Sequence, residues 1–220
     1  MAGDSTWSTL SAQTMARPFL NDESKAALSA AVREVEATCS AELVVGVRPR
    51  SGSYLHADLI AGAAVALTAL AVLLYSRWEF GLVWFLVDPV LAGLLGGFLA
   101  SRSSALRRAL TPRAARRLRA ETAARSLFVE RRVHGTAGRT GILLYISILE
   151  REAVFVVDVG VEPLAATDAW RKAAGEIEGA VRQGADGAEV ARRLHGLEEL
   201  LSPVLKRGAD DVDELPNEVC

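Results

Sequence analysis

Apolar residues are spread unevenly along this chain, and two stretches hold most of the excess. Leu59 to Tyr75 (LIAGAAVALTALAVLLY) has no ionisable group except the tyrosine phenol. Phe80 to Ala100 (FGLVWFLVDPVLAGLLGGFLA) is interrupted only by Asp88-Pro89. A membrane-spanning helix needs about 20 predominantly apolar residues, and both stretches approach that length. Neither shows the one-sided stripe of an amphipathic helix, so the competing reading is a pair of helices buried in a core. Joined by Ser76-Arg77-Trp78-Glu79, the two stretches predict a transmembrane hairpin.

Elsewhere the pattern is that of an ordinary folded domain. Leu28, Ala31, Val32 and Val35 recur at helical spacing after Asn21, which predicts a capped helix from Asn21 to Thr38. Glu42 to Val47 reads as a short buried strand. After the hairpin, Thr111-Pro112 predicts a cap and a proline at the first position of a helix reaching about Arg132. Gly141 to Ile148 and Ala153 to Val159 read as a β-hairpin separated by four polar or turn residues. Two helices follow, Thr167 to Gln183 with Gly184 behind it, and a last one opened by Asp186 and stopped by Pro203. Strands that are apolar on both sides call for helices on both faces of the sheet. The expected fold is therefore α/β, split in sequence by the membrane hairpin. Its expected parts are 19–53, the hairpin 54–101 with spans near 59–75 and 80–100, 102–207, and an acidic tail 208–220.

Composition agrees. The 220 residues are 50% hydrophobic, with mean hydropathy +0.22 and a formal net charge of −2. That balance speaks against a nucleic-acid-coating protein and against disorder. With only Cys39 and Cys220, a disulfide scaffold or cysteine-rich zinc site is not expected.

The placement of charge predicts orientation. Arg102, Arg107, Arg108, Arg113, Arg116, Arg117 and Arg119 follow the second stretch, with no acid before Glu121. Basic flanks stay cytoplasmic, so both termini are expected inside, in the inner (cytoplasmic) membrane. The opening residues, MAGDSTWSTL, lack the basic and apolar regions of a signal peptide, which points the same way. Against a membrane span, the arginines read as lipid-headgroup contacts rather than as a nucleic-acid patch. Asp88 inside the second stretch is an intramembrane acid, and such a residue is a functional candidate. The local sequence also fits Asp88 as a helix N-cap with Pro89 behind it, and the cap is the favoured expectation.

Motifs for chemistry are few. The chain has no phosphate-binding G-x-x-x-x-G-K-S/T loop, no G-x-G-x-x-G, no H-E-x-x-H and no G-x-S-x-G elbow. His56, His134 and His195 have no partner at ligand spacing. The remaining candidates are acidic. Asp158 and Glu162, in D-V-G-V-E at the end of a strand, with Asp213 and Glu214 from the tail, are oxygen donors suited to Ca²⁺ or Mg²⁺. The same acids also read as helix caps and as a solvated tail.

Taken together, these segments resemble the TPM domain family. The resemblance runs through Leu20-Asn21-Asp22-Glu23, Ala37 to Val45, Ala124 to Phe128, Thr136 to Ser147, Val157 to Glu162 and Glu214-Leu215-Pro216-Asn217. Leu106-Arg107-Arg108-Ala109-Leu110-Thr111-Pro112-Arg113 is similar to the bacterial membrane branch, in which a hairpin interrupts the domain. The resemblance implies a three-layer α/β/α sandwich of TPM type. For function it implies either a non-enzymatic assembly or maintenance factor for membrane protein complexes, or a divalent-metal-dependent phosphatase acting on phosphate monoesters. The missing nucleophile–base pair favours the first. The expected partners are the lipid bilayer and other membrane proteins or a second copy of the chain, with no nucleic acid.

Overall fold

The Asn21 side chain accepts a hydrogen bond from the Ser24 amide at 2.7 Å and so caps helix α1 (Asp22–Thr38) as its position predicts. In this computed structural model, residues 19 and 21–205 are described. Three strands follow the expected pattern: β1 (Glu42–Arg48), β2 (Gly141–Ser147) and β3 (Glu152–Val157). They form one sheet in the order β1-β2-β3. β2 and β3 pair antiparallel, from Ile142 opposite Val157 to Ser147 opposite Glu152. β1 and β2 pair parallel, from Glu42 opposite Gly141 to Arg48 opposite Ser147. A parallel pair needs a long crossover, and here the apolar stretches lie within it.

The chain divides into two units: one runs to Arg48 and resumes at Ala124, and the other is 49–123. In the first, Leu43, Val45 and Val47 of β1 share a core with Ile142, Leu144 and Ile146 of β2. Against them lie α1, α7 (Asp168–Gln183) and α8 (Gly187–Leu201), through Leu28, Trp170, Ile177, Val190 and Leu194. Opposite this core, Leu127 sits so close to Gly46 that a Cβ on Gly46 would stand 2.4 Å from its Cδ2. β1 and β2 are accordingly buried almost throughout, whereas β3, paired on one side only, is half-exposed over Phe155 to Val157. Thr167 and Asp186 cap α7 and α8, and Gly184 ends α7 at φ 92°. A one-turn helix that the sequence pattern does not predict, α6 (Glu162–Ala165), precedes α7. Among the described residues the fold is mixed α/β, with eight α-helices and a small three-stranded sheet.

The second unit contains α2 (Leu55–Tyr75), α3 (Trp84–Arg102), α4 (Ser104–Ala109) and the start of α5 (Arg113–Glu130). α2 and α3 are long and apolar enough to cross a membrane, with only 17% and 6% of their most apolar windows buried. That exposure speaks against helices buried in a core within their own unit, since such a helix would be covered on most sides. Three local expectations are corrected. α2 begins four residues before Leu59, because His56 and Asp58 are polar but helical. α3 begins at Trp84 rather than Phe80, after a turn in which the Trp84 amide bonds the Gly81 carbonyl at 3.0 Å. Asp88 is not an N-cap: Val83 holds that position and Asp88-Pro89 lies inside α3. Pro89, the sixth residue of α3, forfeits one helical bond, to the Phe85 carbonyl.

Glycine sets how α2 meets α3. A Cβ on Gly62 would stand 2.7 Å from the Gly93 carbonyl oxygen, and one on Gly96 2.7 Å from a Val65 methyl. Gly93 and Gly97 are four residues apart, so both present their bare backbone to α2. With no side chain between them, the backbones approach closely, as in membrane helix pairs joined through small residues.

Candidate functional site

At the end of the sheet, two turns lock together around Asp158. Arg139 adopts the left-handed conformation (φ 54°) in the T-A-G-R-T loop before β2. The loop is held by the Thr140 amide on Thr136 Oγ1 at 3.1 Å and by the Thr140 hydroxyl on the Ser40 carbonyl at 2.7 Å. From the other turn, the Gly160 amide donates to the Arg139 carbonyl at 2.9 Å. A Cβ on Gly160 would meet that oxygen at 2.6 Å, so the approach needs glycine. Across this junction Asp158, 4% exposed, accepts a hydrogen bond from Arg139 Nη2 on Oδ1 at 3.0 Å, while Arg139 Nε stands 2.9 Å from Oδ2 as an ion-pair contact without hydrogen-bond geometry. Its Oδ1 also accepts from the Val159 amide at 2.8 Å.

The carboxylate that the sequence offers to a cation is thus held by a guanidinium. Glu162 is exposed in the first turn of α6. Asp213 and Glu214 lie outside the described residues. Among the described residues no group of three or more His, Cys, Asp or Glu side chains is placed to hold a metal ion. Motif and spacing do not single out Arg139, although its position before a glycine-led strand and 19 residues ahead of an acid is visible in the sequence.

Removing the acceptor has a calculable consequence. Charge-assisted hydrogen bonds contribute about 1.5–3 kcal/mol each when buried, but Arg139 is 54% exposed and can rehydrate. Asp158→Ala is therefore expected to cost about 2 kcal/mol, or roughly 4–8 °C in Tm for a chain of this size. Arg139→Gln should cost at least as much, because it strands a buried carboxylate. Thermal unfolding of the detergent-solubilised chain checks both, and an unchanged Tm in Asp158→Ala would reject the structural role.

The second cluster lies where α2 begins. Asp58, in the first turn of α2, accepts a fork from Arg107 of α4: Nε to Oδ1 at 2.9 Å and Nη2 to Oδ2 at 2.6 Å. Both side chains are about nine-tenths covered, at 14% and 13% exposure. The Asp58 hydrogen bond raises the Arg107 pKa above its usual value, so the guanidinium stays charged. Beside this pair, Thr111 Oγ1 and His56 Nε2 stand 3.3 Å apart. The Arg119 guanidinium stacks over the buried Tyr54 ring at 4.8 Å.

The seven arginines are therefore not equivalent. Arg107 is turned to Asp58 and gives this acid, in the first turn of an apolar helix, its counter-charge. Arg117 pairs with Glu121 one turn on at 3.0 Å. Arg102 is exposed, with its Cζ 4.9 Å over the Phe98 ring. Arg113 is also exposed, whereas Arg108 and Arg116 are half-buried.

Asp88 lies in a groove of about 490 Å³ between α2 and α3, lined otherwise by Ala64, Val65, Thr68, Ala69, Val72 and Leu73. It is the fifth residue of α3, hence about 6 Å along the axis from the start. The exposed Trp78, Trp84 and Tyr75 lie at that same end, as in the aromatic belt of a membrane interface.

The other polar residues are local. His195 Nδ1 is 3.4 Å from Glu34 and 3.7 Å from Glu198, all on the surface side of α8 and α1. The His134 ring lies against Phe128. Cys39 is buried, and its thiol donates to the Val35 carbonyl.

No family model matches the chain, and no curated protein matches it. The fold is similar to that of the BA42 protein from the psychrophilic bacterium Bizionia argentinensis, solved by NMR. The TM-score is 0.55 at 16% identity, over 92% of this chain and 95% of that one. At that identity the likeness concerns the fold alone.

Proposed function

We propose that this chain is a membrane-tethered domain of TPM type, a three-layer α/β/α sandwich, that serves as a non-enzymatic assembly or maintenance factor for membrane protein complexes. It resides in the cytoplasmic membrane with both termini on the cytoplasmic side. The observation that carries this reading is the build of the hairpin. α2 and α3 use glycines for each other and leave Leu67, Leu74, Leu91, Leu94 and Leu99 facing outward. Such a surface is satisfied by lipid or by other membrane helices. The use of Asp158 as an ion-pair partner supports a scaffold rather than a hydrolytic role. The arginine run after α3 supports the orientation, because carrying it across the bilayer opposes the usual insertion bias.

A single preparation of native membranes tests both parts. A cysteine placed at Ser76 should react with a membrane-impermeant thiol reagent in intact cells, while a tag after Cys220 stays protected from protease. Solubilised in mild detergent, the tagged chain should bring down other membrane proteins in constant ratio. Consistent isolation as a lone monomer sinks the assembly reading. Metal-dependent hydrolysis of a phosphate monoester that disappears in Asp158→Ala would put a phosphatase in its place.

A further inference from the structure

Two grooves of similar size run between α2 and α3, and their chemistry differs. One, described above, has Asp88 as its ionisable residue. The other, of about 540 Å³, is floored by Gly62, Gly93 and Gly97 and walled by Leu59, Leu94 and Phe98. We infer that this glycine-floored groove binds an anionic phospholipid, with an acyl chain along the glycines and the phosphate on Arg102. The groove is open on one side, apolar along its length and polar at one end, where Asp58 and Ser101 line it. That end is the mouth next to Arg102. Its guanidinium stands over Phe98, a wall of the groove, so cation and apolar channel share one residue.

The charge at the mouth favours an anion. Asp58 is neutralised by the Arg107 fork, which leaves no uncompensated acid there. Arg102 is exposed in the last turn of α3, where its planar donors are free to take two phosphate oxygens. The companion groove has no basic side chain among its lining residues and so offers a phosphate no cationic partner. A free phosphate ion would engage the arginine but leave the apolar groove empty, so the phospholipid is the occupant that uses both.

The full chain, stripped of lipid in detergent and reconstituted in nanodiscs, tests this with a photoactivatable phosphatidylglycerol carrying the reactive group on its acyl chain. Labelling should concentrate on Ala63, Leu94 and Phe98, and unlabelled phosphatidylglycerol should compete far better than phosphatidylcholine. Arg102→Gln should weaken that competition about 5-fold, the effect of one surface arginine on an anionic lipid. Ala63→Phe, at an exposed position inside the groove, should abolish the concentrated labelling while leaving the hairpin packed. Even labelling around both helices, or equal competition by phosphatidylcholine, would overturn the inference. So would groove protection that depends on a second copy or on another membrane protein occupying it.

Discussion

Gly141→Ala should destabilise the folded protein strongly, by about 3 kcal/mol or more. Gly141 opens β2 opposite Glu42, in the middle strand of the sheet. A Cβ there would stand 2.0 Å from the Val133 carbonyl oxygen and 2.9 Å from its carbonyl carbon. Those atoms are backbone, held by the turn after α5, so they cannot swing aside as a flexible side chain would. Relief requires β2 to shift, which breaks the register with β1 and β3 and pulls the Asp158 amide from the Gly141 carbonyl, now bonded at 2.9 Å. Overpacking against backbone costs about 3 kcal/mol or more, a large part of a domain's usual margin of roughly 5–15 kcal/mol. Glycines in α7 behave oppositely. A Cβ on Gly175 would have nothing within 4 Å of it, so Gly175→Ala should stabilise by up to about 1 kcal/mol through helix propensity. Thermal unfolding of the two variants side by side decides the matter: similar Tm values would refute the steric account.

Gly62→Leu should separate α2 from α3. The Gly62 Cβ position lies 2.7 Å from the Gly93 carbonyl, and the next neighbours are Gly97 backbone atoms at 3.4 and 3.5 Å. No rotamer of leucine fits against backbone at that distance, so the helices must move toward the roughly 8–10 Å separation set by larger side chains. The glycine crossing and the Gly97 approach to the Asp58 carbonyl, 3.2 Å from a Cβ there, are lost together. If α2 and α3 span a bilayer as proposed, there is no hydrophobic drive between them, close packing is the main attraction, and its loss is felt fully. Spin labels at the exposed Leu67 and Leu91 report the change. The distance between them should lengthen and broaden in Gly62→Leu, and lengthen less in Gly62→Ser, whose Cβ meets the Gly93 oxygen without a larger side chain behind it. An unaltered distribution in the leucine variant would mean that the glycine contact does not set the crossing.

Much of the architecture is legible in the residues because it depends on local rules. Asn21, Thr167 and Asp186 cap helices, and Gly184 ends one, since a short polar side chain or a positive φ satisfies groups exposed at any helix end. The β-hairpin of β2 and β3 and the two apolar helices follow from period and composition alone. Where α3 begins is not legible. A Pro after an Asp fits a cap and a helix interior equally well until the preceding residues are seen to continue the helix. The short α4 and α6 also escape the pattern, since helices of six and four residues are too short to show a period.

Contacts distant in sequence belong to the tertiary structure. Asp158 reads as a ligand in isolation; only the fold brings Arg139 to it across 19 residues. Arg107 reads as one of seven headgroup arginines, and only the return of the chain after α3 puts it 2.6 Å from Asp58, 49 residues away. The pattern of hydrophobic residues determined that there would be a hairpin and an α/β core, because burial depends on composition and period. Which charges pair, which glycines touch and which arginine remains open were decided by tertiary structure, because electrostatic and steric energies fall off over a few ångströms and chain order does not record such distances.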